Sequence, residues 1–192
     1  MKQEEALGQI KLIREMMQKA SDRFLFSPWQ WIEWGVLISV GYIITLLLQK
    51  YGQSGYIFFL WLSIFVIGSV LETYIWMTAA RERGIEPFNY FILKLWGVAF
   101  TIMAMSIILT FVFISLGHIL YIPGLWLMTM GVIMISFFIL ADRKNLFVFG
   151  IAQMVGGLLA VSFMLKFALL IGAVFFGIGA LINGIYLLIK AH

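Results

Sequence analysis

Residues 146–189 read LFVFGIAQMVGGLLAVSFMLKFALLIGAVFFGIGALINGIYLLI, forty-four residues with one charge, Lys166. As a single α-helix this stretch would be ~66 Å long at 1.5 Å per residue. A bilayer core is ~30 Å thick, and ~20 residues cross it. The stretch is therefore read as two spans, near 146–165 and 167–189, folded back at Lys166. The rest of the chain follows the same reading. Of 192 residues, 63% are hydrophobic and 11% charged, and the mean hydropathy is +1.04. Soluble domains carry about a quarter charged residues. A fold this small cannot hide so much apolar surface from water, so the expected solvent is lipid.

Working back from residue 146, four more apolar segments lie near 29–49, 56–79, 90–116 and 121–140. The breaks between them carry turn residues: Gln49 to Gly55, Arg81 to Asn89 with Gly84 and Pro87, Tyr121 to Gly124, and Asp142 to Asn145. Residues 28–192 are thus expected to form an all-α membrane bundle of six transmembrane helices arranged as three hairpins. Residues 1–27 form a separate unit. Leu7, Ile10, Ile13, Met17, Ala20 and Phe24 recur at three- and four-residue spacings, which predicts a cytoplasmic amphipathic helix over 1–24. Ser27-Pro28 ends it, because proline keeps the preceding residue out of the helical region and suits a first turn. The charged, mixed N-terminus has no apolar core of signal-peptide length, so the spans themselves are expected to direct insertion.

The formal net charge is +4, and eleven of the thirteen Lys and Arg fall on one side of this topology. Only Lys50 and Lys166 fall on the other. The positive-inside bias predicts a cell-membrane protein of the bacterial inner-membrane kind, with both termini cytoplasmic. The same scatter leaves no basic patch with aromatic platforms, so nucleic acid is not an expected partner. The chain has no cysteine, which removes disulfides, thiolate nucleophiles and Cys-ligated metals. His118 and His192 fall on opposite sides of the membrane and cannot share a metal. No cofactor is expected. The usual nucleophiles and acid–base sets are missing, so an enzyme is the least favoured class.

Short matches suggest an internal repeat. Trp34-Gly35-Val36 pairs with Trp96-Gly97-Val98, Trp61-Leu62 with Trp126-Leu127, and Ala80 to Arg83 with Ala141 to Lys144. Their offsets are 62, 65 and 61 residues.

Glu72 is the leading candidate for chemistry. It lies nine residues before Arg81 inside the second span, and a carboxylate there normally faces a bundle interior or water. Glu33 and Lys94 occupy the same half of the membrane, so a Glu33–Lys94–Glu72 polar cluster is expected, pairing easing the burial of charge. Gln153 and Asn183 lie in the last two spans. Gly150, Gln153, Gly157 and Ala160 share one face of the fifth, and Ala173, Gly177, Ala180 and Gly184 one face of the sixth. Small residues at these spacings let backbones approach closely. The expectation is tight packing of the fifth helix on the sixth, with Gln153 and Asn183 as interhelical hydrogen-bond partners or, more sharply, a polar ligand site.

The two ends of the chain resemble an uncharacterised family of small six-span bacterial membrane proteins. Ala6 to Phe26 resembles their pre-membrane helix, and Leu146 to Leu188 their last hairpin, best at Gly150, Gly156 to Ala160 and Gly184-Ile185-Tyr186. The basic turn at Arg81–Arg83 is shorter here, the family's acid in the fifth span is replaced by Gln153, and Trp29–Trp34 is more aromatic. Members are often encoded beside a small winged-helix regulator, so the resemblance implies a regulatory role. The first expectation is therefore a non-enzymatic membrane protein that meets a cytoplasmic protein partner through residues 1–24, alone or as a homo-oligomer in the lipid bilayer. The alternative is a small proton, cation or solute transporter or channel using Glu72.

Overall fold

The computed structural model describes residues 27–82, 84, 90–141, 143–163 and 165–191. The expected amphipathic helix over 1–24 and most of the 81–89 turn lie outside these residues. The described chain is helical, and six of its helices are long and apolar enough to cross a membrane. They are α1 (Pro28–Lys50), α2 (Ile57–Glu82), α3 (Tyr90–Ser115), α4 (Ile122–Ala141), α5 (Lys144–Ser162) and α6 (168–191). The last is interrupted: Ala168–Gly172 is α-helical, Ala173–Ile178 is a π-helix, and Gly179–Ala191 is α-helical again. The expected break at Lys166 is present. Phe163 closes α5 and a short 3₁₀ turn, Leu165–Phe167, leads into α6.

The helix ends follow local rules. Pro28 opens α1, and the Ser27 N–H donates to Gln30 Oε1 at 2.7 Å, satisfying a donor that would otherwise be orphaned. At the far end Gly52 adopts φ 71°, the left-handed conformation that favours glycine. The Gln53 N–H then donates to the Leu48 carbonyl and the Gly52 N–H to Gln49, a Schellman closure. The same turn recurs 65 residues later. Gly117 has φ 76°, His118 donates to Phe113 and Gly117 to Ile114. Each turn continues into a 3₁₀ segment, Ser54–Tyr56 and Ile119–Tyr121.

The repeat extends into the spans. Trp61 Nε1 donates to Thr45 Oγ1 at 3.1 Å, and Thr45 Oγ1 to the Gly41 carbonyl at 2.7 Å. Trp126 Nε1 donates to Thr110 Oγ1 at 3.1 Å, and Thr110 Oγ1 to the Ser106 carbonyl at 2.8 Å. Each of these positions is displaced by 65. Of the three offsets in the sequence, only Trp61–Trp126 is therefore in register. Trp96 corresponds to Trp31, not to Trp34: Trp31 is in the core and Trp96 packs against that core. Gly35 and Gly97 are accordingly unlike. Gly35 is packed on α6, whereas a Cβ on Gly97 would meet open space.

Three apolar clusters hold the helices. At the end that carries Arg81, Arg143, Lys144 and Lys190, here the basic end, one cluster draws on all six helices. It includes Trp31, Trp76, Ile92, Leu95, Phe137, Phe149 and Ala180. Toward the opposite end the core divides. Ile38, Tyr42 and Ile64 join α1 and α2 beside α6, while Leu127, Ala160, Ala168 and Ile171 join α4, α5 and α6.

The small-residue faces pack differently from the expectation. The glycines of the α5 and α6 faces do not meet each other. Gly150 and Gly157 of α5 lie on Gly131 and Gly124 of α4, with carbonyl oxygens 2.8–3.0 Å from where each Cβ would stand. Gly177 and Gly184 of α6 lie on Ser39, Gly35 and Ile32 of α1. Helical spacing identifies a packing face, but the lateral arrangement chooses its partner.

Gly131→Leu should force α4 off α5 and destabilise the protein by about 1–3 kcal/mol, the usual cost of overpacking. Gly97→Leu should stay within ~0.5 kcal/mol of wild type. Reversible unfolding in detergent or bicelles measures both; equal costs would contradict the assignment of the α4–α5 seam.

Candidate functional site

The polar side chains inside the spans occupy two levels. Near the basic end, α1 and α2 run antiparallel. Gly68 lies against the Trp34 ring and Gly41 against Ile64, which brings residues 33 and 34 to the level of residue 72. Trp34 Nε1 donates to Glu72 Oε2 at 3.1 Å. Glu33 immediately precedes Trp34 in α1. Both Glu33 carboxyl oxygens are buried, and neither has a hydrogen-bond partner. Asn183 of α6 is at this level too, because its neighbour Gly184 packs on Ile32 and the Pro28 carbonyl. Asn183 Nδ2 is likewise buried without a hydrogen bond.

Of the expected cluster, then, Glu33 and Glu72 come together and Lys94 does not join them. Lys94 is exposed on α3, where it lines a shallow outer groove with Gly97, Val98, Thr101 and Ile102. Buried Ile92, Leu95 and Ala99 mark the opposite, inward face of the helix. The 3.6-residue period puts Lys94 away from that face.

The second level is near mid-span. Gln153 is fully buried, at 0% exposure, and its Nε2 donates to the Phe175 carbonyl at 2.6 Å. Phe175 lies in the π-helical segment, whose carbonyls are displaced from the regular i→i−4 ladder. The Gln153 amide thus supports the irregular turn of α6. The expected Gln153–Asn183 bond is not made. Asn183 lies eight residues beyond Phe175, ~12 Å along the helix. Gln153 Oε1 is buried without a hydrogen-bond partner. So is Ser39 Oγ, which faces Gly177 from the α1 side.

The arrangement offers two chemistries. The Glu33–Glu72 pair presents carboxylate oxygens suited to a proton or a cation. The Gln153–Phe175 bond is an amide-to-carbonyl clamp with no titratable group. Three positions of these polar levels escaped the sequence reading: Trp34 as the donor to Glu72, Ser39, and the Phe175 carbonyl. Nothing local marks the first two, and a backbone acceptor has no side-chain signature. The Thr–Trp clasps could have been found from their shared spacing of sixteen residues.

Removing one donor should be measurable at either level. Trp34→Phe and Gln153→Leu should each cost about 0.6–2 kcal/mol, the range for interhelical hydrogen bonds in bilayers. Equilibrium unfolding in bicelles tests this. A Gln153→Leu variant as stable as wild type would remove the clamp role. Compared with known proteins, the chain matches no family, no curated protein and no solved structure.

Proposed function

We propose that this chain is a multi-pass cell-membrane protein that binds and passes a proton or monovalent cation through the Glu33–Glu72 pair. One observation carries the reading: the Glu33 carboxyl is buried without a hydrogen-bond partner, next along α1 to the Trp34 that binds a second carboxylate, Glu72. Acids inside spans are costly and normally sit where a pathway or a counter-charge uses them. Lys94, the counter-charge expected from the sequence, lies on the outer face of α3. The reading favours the transport alternative over docking through residues 1–24. The resemblance of the chain's ends to the small six-span family fits a membrane role and adds no substrate.

In this proposal the six spans form three hairpins with both termini cytoplasmic. The Lys and Arg bias supports that orientation, and the equal turns at Gly52 and Gly117 support the hairpins. The carboxylate pair then lies in the cytoplasmic half of the bundle.

Two experiments test these points. Purified protein in liposomes should give proton or alkali-cation flux, falling to the protein-free baseline in Glu33→Gln and Glu72→Gln. No flux from inserted, folded wild type, or full flux in both variants, would sink the transport reading. For orientation, the cysteine-free chain allows single-cysteine labelling in intact cells. Gln53→Cys and His118→Cys should react with an impermeant reagent, and Lys144→Cys only after permeabilisation. The reverse pattern would invert the topology.

A further inference from the structure

Three glycines of α6 lie against α1. A Cβ on Gly172 would meet the Tyr42 ring, and one on Gly177 would meet Ser39. One on Gly184 would meet Ile32 at 2.7 Å and the Pro28 carbonyl at 3.0 Å. Gly177 and Gly184 are two α-helical turns apart and share a side of the helix without help. Gly172 and Gly177 do not have that spacing. In a regular α-helix, residues this far apart stand ~140° apart around the axis. The π-helical turn Ala173–Ile178 removes the mismatch. Its i→i+5 bonds absorb an extra residue, so Gly172 and Gly177 face the same neighbour. The α1–α6 seam is thus closed along its length only because α6 stores one residue of slack at mid-span.

The polar groups around this turn are only partly satisfied. Gln153 Nε2 donates to the Phe175 carbonyl at 2.6 Å and latches the turn from α5. Gln153 Oε1 and Ser39 Oγ, on the α5 and α1 sides of the turn, are buried without hydrogen-bond partners. Asn183 Nδ2, one residue before Gly184, is also buried without one.

We propose that α6 is a two-register helix, switched by relaxation of the π turn to α-helix. The Ala168–Gly172 segment stays in place, because Ala168 and Ile171 share a core with Leu127 and Ala160. Every residue after the turn then advances one position, ~100° around the axis and ~1.5 Å along it. Phe176 takes the place of Gly177, and Asn183 takes the place of Gly184. Ser39 leaves no room there for a phenylalanine ring, so the α1–α6 seam parts at that level. Asn183 carries its unmet donor to the Pro28 carbonyl of α1, near Glu33 and Trp34. Shifts of one helix along another are an established form of switching. The switch reaches the acid pair through α1, and in that respect alone it rests on the transport reading. The two registers themselves are read from distances, whether or not ions pass.

The test uses spin-label pairs on the cysteine-free chain in nanodiscs. Ile182→Cys with Val36→Cys joins the Gly179–Ala191 segment to α1, and Leu170→Cys with Ile43→Cys joins the Ala168–Gly172 segment to it; all four positions are exposed. Double electron–electron resonance should give two distance populations for the first pair and one for the second. Gln153→Leu should enrich the minor population. Deleting Val174 from the π turn removes the slack and leaves all three glycines on α1. It should give a single Ile182–Val36 distance, both alone and combined with Gln153→Leu. A single distance in wild type and in Gln153→Leu would overturn the switch. So would a Val174 deletion that fails to restore one distance in Gln153→Leu, or equal broadening of both pairs, since either means general loosening. If Gln153→Leu does not fold, recovery of folding by the deletion supports the switch, and no recovery overturns it.

Discussion

Inside a bilayer, apolar helices gain nothing by hiding from their solvent. What holds this protein together is how closely its helix backbones can approach one another. Glycine sets that approach. Where Gly131 meets Gly150 and Gly124 meets Gly157, a Cβ on either side would stand within 3.0 Å of the facing carbonyl oxygen. Dispersion is short-ranged, so a gap of even one methyl group forfeits much of it. The α4–α5 and α6–α1 seams are firm for this reason. α2 and α3, without such crossings, are left at the margin of the bundle with most of their side chains toward lipid.

Polar side chains are the second means of attachment, and they are placed economically. Each Thr–Trp clasp serves two bonds through one hydroxyl, which accepts from the indole and donates to its own helix. Gly157 of α5 and Gly172 of α6 pack on Met128 of α4 and Tyr42 of α1. α5 and α6 thereby form the bridging pair between their neighbours. The π-helical turn of α6 and its Gln153 support lie inside this bridging pair, where two close approaches must be met by one helix.

The carboxylates differ from the other polar side chains of the spans in being acids. Most buried polar groups at mid-span are hydroxyls or amides that close a bond within or between helices. Glu72 has its indole donor, but the Glu33 oxygens have none, and they lie at the level where α1, α2 and α6 converge on the shared core. A group of this kind weakens a purely structural site, and its burial is the reason for the transport proposal.

The sequence by itself determined six spans, because length and hydropathy against bilayer thickness leave no other count for residues 146–189. It marked the turns at Gly52 and at the charged break by Arg143. It set the turn before the fourth span at Tyr121 to Gly124, whereas the chain turns at Gly117 and Ile122–Ala141 is already helix. It marked Glu72 and the glycine faces through helical spacing. The tertiary structure alone decided which faces meet. It set Gly150 and Gly157 of α5 on α4 and Gly177 and Gly184 of α6 on α1, gave Glu72 to Trp34, brought Glu33 to the level of that bond and put Lys94 on the outer face of α3. The repeat was visible at Trp61 and Trp126, but its register came from the hydrogen bonds of the turns. The reason is geometric. Spacing along a helix fixes which residues share a side, whereas the rotation and neighbours of that helix depend on every other contact in the bundle.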